Sequence, residues 1–103
     1  MKTITFNLLT KDDDGRDVYI TGTFNDWNPH DEQYKMNRLK NGRYKLKIKL
    51  TDKFTFPAEY KYTKGGWENE EVTIKGHKSK NRIIKKVRRS VTDRVPRFLF
   101  HGN

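Results

Sequence analysis

Lys40-Asn41-Gly42-Arg43-Tyr44-Lys45-Leu46-Lys47-Ile48-Lys49-Leu50 is the stretch that decides the fold. Tyr44, Leu46, Ile48 and Leu50 fall on one face of an extended chain, and Arg43, Lys45, Lys47 and Lys49 on the other. A period of two with a single apolar face marks a sheet that is packed on one side and solvated on the other. The pattern therefore predicts that Tyr44, Leu46, Ile48 and Leu50 are mostly buried, and that Lys45, Lys47 and Lys49 are exposed. Asn41-Gly42 is a strong hairpin signal, and Tyr34–Leu39 reads as the strand before it.

The same period recurs outward from this hairpin. Ile4, Phe6 and Leu8 alternate with polar residues. Lys11-Asp12-Asp13-Asp14-Gly15 is a turn, and Asp17–Gly22 is a β-branched strand. Thr23–Glu32 is a loop around Asn28-Pro29. In Ala58–Thr63, Tyr60 and Tyr62 point one way, and Glu59, Lys61 and Thr63 the other. Val72–Lys75 and Arg82–Val87 are further strand candidates, and Ser90–Val95 is a candidate final edge strand before Pro96. No segment has helical periodicity. The expectation is an all-β chain, an immunoglobulin-like antiparallel β-sandwich of about seven to eight strands with no long helix.

A length of 103 residues allows one domain with one modest core. Only 32% of the residues are hydrophobic and 35% are charged, so the core relies on large aromatic side chains, which make up 13%. There is no cysteine, which removes disulfides and thiolate metal sites and fits a reducing compartment. The opening Met1-Lys2-Thr3-Ile4-Thr5-Phe6 lacks the apolar run of a signal peptide, and no stretch is apolar enough to span a bilayer, so a cytoplasmic location is favoured if the chain is full length. His30, His77 and His101 lack zinc-ligand spacing, and neither a phosphate-binding glycine loop nor a nucleophile elbow is present. The sequence thus predicts no metal, no cofactor and no catalysis. A glycosidase pair made of Asp26 and Glu68 would need a deep cleft that so small a domain rarely encloses.

The net charge of +10 is uneven. Residues 1–73 hold 13 Lys and Arg against 12 Asp and Glu, whereas residues 74–103 hold 10 Lys and Arg against Asp93 alone. Such an end suits an anionic partner, single-stranded nucleic acid or a membrane surface, or else protects a solvated strand edge.

Two phrases carry the tryptophans. One is Val18-Tyr19-Ile20-Thr21-Gly22-Thr23-Phe24-Asn25-Asp26-Trp27-Asn28-Pro29, the other Glu59-Tyr60-Lys61-Tyr62-Thr63-Lys64-Gly65-Gly66-Trp67-Glu68. Read by themselves, these rings either cap a sandwich end or stand exposed as stacking platforms. Lys61, read alone, is a solvated surface lysine.

From roughly Thr3 to Val87 the order of these phrases, with Gly42–Leu50 between them and Asn81-Arg82 after them, resembles the starch-binding and glycogen-binding carbohydrate-binding modules. These include the starch-binding domains of amylolytic enzymes and the glycogen-binding domain of the AMP-activated kinase β subunit. The resemblance implies a non-catalytic α-glucan-binding surface. Trp27 and Trp67 would stack on glucose rings, and Lys61 and Asn81 would bond hydroxyls. Glu68 would orient Lys61 or bind a hydroxyl, or is simply solvated. An α-glucan polysaccharide or oligosaccharide is the implied partner, with a catalytic domain or enzyme beside it. Asn69 to Lys80 is longer than in compact members and would extend the binding face or cover it. Residues 1–90 are expected to form the module. Residues 91–103 would be a basic, apolar tail, an extra edge strand, or a linker to a further domain. The competing functions are binding of an anionic partner, or a protein-interaction domain whose sugar site has decayed.

Overall fold

The computed structural model describes residues 2–99. Its strands are β1 (Thr3–Thr10), β2 (Tyr19–Gly22), β3 (Asn37–Arg38), β4 (Arg43–Lys49), β5 (Ala58–Thr63), β6 (Glu71–Val72), β7 (Arg82–Ile84), β8 (Ser90–Val95) and β9 (Arg97–Phe98). Only short 3-10 turns interrupt them, and there is no α-helix among the described residues. The chain is an all-β sandwich.

One layer is the four-stranded sheet β3-β4-β1-β8, and the other is β2-β5-β7. A small β6-β9 pair closes one side. The Asn41-Gly42 turn, with φ of 58° and 72°, reverses β3 into β4 as its sequence predicts. β1 then pairs antiparallel with β4, from Thr3 opposite Lys49 to Leu9 opposite Arg43. On its other side β1 pairs parallel with β8, from Thr5 opposite Ser90 to Thr10 opposite Val95. The sheet is therefore mixed. Alternation reports which way side chains point and is silent on strand direction, so the parallel pair had no signature in the sequence.

The core forms where the inner faces meet. Ile4, Phe6 and Leu8 of β1, with Tyr44 and Ile48 of β4, pack against Ile20, Ala58, Tyr60, Tyr62 and Ile84 of the second layer. Leu46 and Leu50 are only partly buried, while Lys45, Lys47 and Lys49 are exposed. Phe6 meets Tyr60 edge-on, with ring centroids 5.3 Å apart. The Tyr60 and Tyr62 hydroxyls both donate to Asp93 Oδ2 of β8, at 2.7 and 2.8 Å. Burial first, and then the Asp93 carboxylate, raise both phenols well above their usual range, so they remain neutral donors. These bonds tie the edge strand β8 across the sandwich to β5. Phe98 of β9 is buried in the same core, whereas Phe100 lies outside the described residues.

Several strands are shorter than their periodic stretches. β6 stops at Val72 because Thr73 turns the chain: its Oγ1 accepts from the His77 amide at 3.1 Å and its carbonyl from the Gly76 amide at 2.8 Å. An isolated bridge between Val72 and Lys78 closes this small loop.

Candidate ligand-binding surface

The site is built on the outer face of the β2–β5 pair. Thr21 lies opposite Lys61, and Tyr19 opposite Thr63, so these four side chains share a face. Tyr60, Tyr62 and Ile20 take the inner face. Lys61 thus points away from the core, as the alternation predicts. It is nevertheless only 5% exposed, because two loops fold over that face. A surface lysine is what local alternation implies; cover supplied by distant segments buries it.

The first cover is the loop after β2. A Cβ on Gly22 would run into the Glu59 carbonyl oxygen, so the strand can approach its neighbour here only as glycine. The buried Asn25 then organises the turn. Its Oδ1 accepts from the Gly22 amide at 2.9 Å and the Thr21 hydroxyl at 3.4 Å, and its Nδ2 donates to Asn28 O at 3.3 Å and Asp31 Oδ2 at 3.4 Å. Asp26 and Trp27 follow with φ of 55° and 56°. Two consecutive non-glycine residues in the left-handed region are uncommon, and for a bulky Trp the conformation costs of order 1–3 kcal/mol. On this backbone the half-buried Trp27 is one of the residues that line an open depression.

The second cover follows β5. Gly65-Gly66 leads into a 3-10 turn at Trp67–Asn69, and the Trp67 ring is 39% exposed. The two indoles lie with ring centroids 6.3 Å apart and planes inclined by 44°. Beneath them is an open depression of about 410 Å³ lined by Trp27, Lys61, Trp67, Glu70, Lys78, Ser79 and Asn81.

The floor of the depression is ionic. Lys61 Nζ is paired with Glu70 Oε1 and also donates to the Ser79 carbonyl at 3.1 Å. An ammonium has three N–H donors, so one remains for a ligand. Behind this floor Glu71 is held by Arg82 through a fork with contacts of 2.8 to 3.1 Å and accepts from the Tyr62 amide at 3.0 Å. Glu70 and Glu71 thus point to opposite sides: one secures the site, the other the sandwich.

The structure brings Trp27, Lys61, Trp67 and Asn81 around one depression. Asn81 is exposed, and its Nδ2 donates to Glu59 Oε1 at 3.1 Å, which orients its amide at the rim. Glu68 is not in the lining; its carboxylate folds back over Gly66. Glu70, two residues on, takes the place beside Lys61. Glu70, Lys78 and Ser79 were missed in the sequence. All three belong to the longer 69–80 segment, which forms one wall of the depression. The available signal was Glu70-Glu71, an acidic pair just before a strongly basic stretch. Among the described residues no cluster of His, Cys, Asp or Glu is disposed to hold a metal ion.

Comparison with known proteins adds two likenesses. The chain is 35% identical over 71 residues to an alpha-amylase of Niallia circulans, a match that spans 65% of this chain and 5% of the amylase. Its fold superposes on the structure of Hormoconis resinae glucoamylase with a TM-score of 0.68 at 18% identity, covering 99% of this chain and 19% of the glucoamylase. The chain therefore spans a small fraction of the length of either relative. No protein-family model matches it.

Proposed function

We propose that this chain is a non-catalytic carbohydrate-binding module for α-glucan, such as starch, glycogen or a maltooligosaccharide, and that it serves as an accessory domain of an amylolytic enzyme. The observation that carries the reading is the indole pair inclined by 44° over Lys61 and Asn81. A glucose ring offers an apolar C–H face to an indole and hydroxyls at its edge to Lys and Asn. Successive faces of a curved α-linked chain are inclined to one another, and two inclined rings suit them better than coplanar rings would. The depression is shallow, as befits binding along a polymer. Glu70, the carboxylate in its lining, is tied to Lys61 rather than presented to a ligand, which favours binding over hydrolysis. The likeness to an alpha-amylase and a glucoamylase, each over a small part of its length, supports an accessory role. Co-sedimentation with granular starch tests the reading: the wild-type chain pellets with the granules and the W27A/W67A double variant stays in solution. A wild-type chain that stays in solution would count against it.

One observation favours a second activity. Lys85, Lys86, Arg88 and Arg89 are exposed and join no ion pair among the described residues, and none of them lines the depression. An anionic partner held there would dissociate steeply with added salt, whereas stacking on a neutral sugar barely senses ions.

A further inference from the structure

The two tryptophans sit on separate turns, and their spacing must be set by whatever joins those turns. Two contacts do. Thr63 Oγ1, at the end of β5, donates to the Pro29 carbonyl at 2.7 Å and accepts from the Gly65 amide at 3.2 Å. Next to it, His30 Nδ1 lies 3.2 Å from the Gly65 carbonyl oxygen. A carbonyl can only accept, so the proton of this bond is on Nδ1. Pro29, His30, Thr63 and Gly65 together close a ring of hydrogen bonds between the loop that carries Trp27 and the turn that leads to Trp67.

The His30 ring is itself aimed. It packs on Tyr19 with centroids 4.6 Å apart, and its backbone amide donates to Asn28 Oδ1 at 3.0 Å. Its other nitrogen, Nε2, lies 3.2 Å from the Tyr19 hydroxyl and 3.4 Å from Glu32 Oε2. The Tyr19 hydroxyl in turn donates to the same Glu32 oxygen at 3.0 Å. Burial and then Glu32 push the Tyr19 phenol up to about 12, so it stays a donor. The turn opposite is shaped to receive the ring. Gly65 has φ of 107°, a conformation that disfavours any side chain, and a Cβ there would lie 3.3 Å from His30 Nδ1.

We propose that His30 is a positioning residue that clamps the Trp27 loop to the Trp67 turn and so holds the two indoles in the geometry a ligand meets. His30 is not among the residues that line the depression. It acts by lowering the ordering cost of binding, since turns held in place before the ligand arrives lose less freedom on its arrival.

The test compares His30→Ala, His30→Asn and His30→Gln. Asn places an amide N–H where Nδ1 is and keeps the Gly65 bond. Gln places its amide nearer the position of Nε2 and keeps the Tyr19 side instead. The first readout is the exciton couplet of the indole pair in circular dichroism, which depends on their mutual distance and angle and needs no ligand. The second, resting on the function proposed above, is affinity for maltoheptaose. His30→Ala and His30→Gln should diminish the couplet and weaken affinity roughly three- to tenfold, the worth of one modest hydrogen bond, and His30→Asn should restore both. A couplet unchanged in His30→Ala, or restored as well by Gln as by Asn, would overturn the clamp. Should Ala unfold the domain, the Asn–Gln contrast alone decides. A couplet that follows the predicted order in a chain that binds no maltoheptaose would uphold the clamp and remove the glucan reading instead.

Discussion

The turn that carries Trp27 runs from Thr23 to Asp31 and adds to its backbone bonds, such as Trp27 N to Gly22 O at 2.9 Å, the four side-chain hydrogen bonds of Asn25. The turn that carries Trp67 is a single 3-10 turn after two glycines, closed internally by backbone bonds such as Lys64 N to Asn69 O at 3.1 Å and Asn69 N to Gly66 O at 3.0 Å, with side-chain bonds from Thr63 and His30 only at its Gly65 entry. One ring is half-buried on a strained left-handed backbone; the other is exposed on a relaxed one. The first turn is a structural part of the sandwich that also offers a ring. The second is a platform that the sandwich would hardly miss. Both rest on the same floor, Lys61 with Glu70.

Removing that shared floor should have the largest effect. Glu70→Ala leaves a buried ammonium without its partner and should cost roughly 3–5 kcal/mol in denaturant unfolding, with glucan affinity falling alongside. A cost below about 1 kcal/mol would mean that Lys61 escapes to water through the open depression, and that the floor is not common to both turns.

Next comes a matched pair of asparagines. Asn25→Ala strands the buried Gly22 amide and should cost about 2 kcal/mol. Asn69, whose side chain donates to Leu99 O at 3.2 Å near the surface, should tolerate Ala within about 0.5 kcal/mol. Equal costs would erase the distinction between the two turns.

The tryptophans themselves give a smaller stability difference and a sharper functional one. Trp27→Ala should cost about 1–2 kcal/mol, since Ala keeps the Cβ that its left-handed backbone disfavours, and Trp67→Ala no more than about 0.5 kcal/mol. Both should weaken maltoheptaose binding at least roughly tenfold. Calorimetric titration of each variant, paired with thermal unfolding, separates the two quantities.

The smallest expected effect is a pH dependence confined to the Trp27 side. The Tyr19 hydroxyl, followed by Lys35, holds the Glu32 carboxyl below its usual range. A depressed carboxylate contributes stability that is complete above the unfolded value of about 4.3 and is lost as pH falls through the lower folded value. Glu32→Gln should therefore flatten part of the decline in stability below about pH 4, as followed by denaturant midpoints across the acid range. An unaltered profile would show that this contact carries no such linkage.

How far the sequence foretold these differences varies along the chain. Period-two alternation placed Tyr44, Tyr60 and Tyr62 inward and Lys61 outward, because strand geometry is local. The burial of Lys61 was not legible, since the segments that cover it lie 30 residues or more before it and up to 18 after it. Glu70 escaped notice for the same reason: its partner is fixed by how the 69–80 segment folds over the sheet, and no spacing rule encodes that. Trp67 was legible as an exposed tip from Gly65-Gly66. The left-handed backbone at Trp27 was not, because nothing in Asn25-Asp26-Trp27 names it. The parallel pairing of β8 with β1 was equally silent, as it joins residues more than 80 positions apart.

The central claim is that the Trp27–Lys61–Trp67 depression binds α-glucan by stacking. The most direct measurement is titration of the chain with maltoheptaose, followed by tryptophan fluorescence at low and at high salt. The account predicts a saturable change of nearly the same midpoint at both salt concentrations, strongly weakened in W67A. A flat titration, or one whose midpoint shifts steeply with salt and survives W67A, would contradict it.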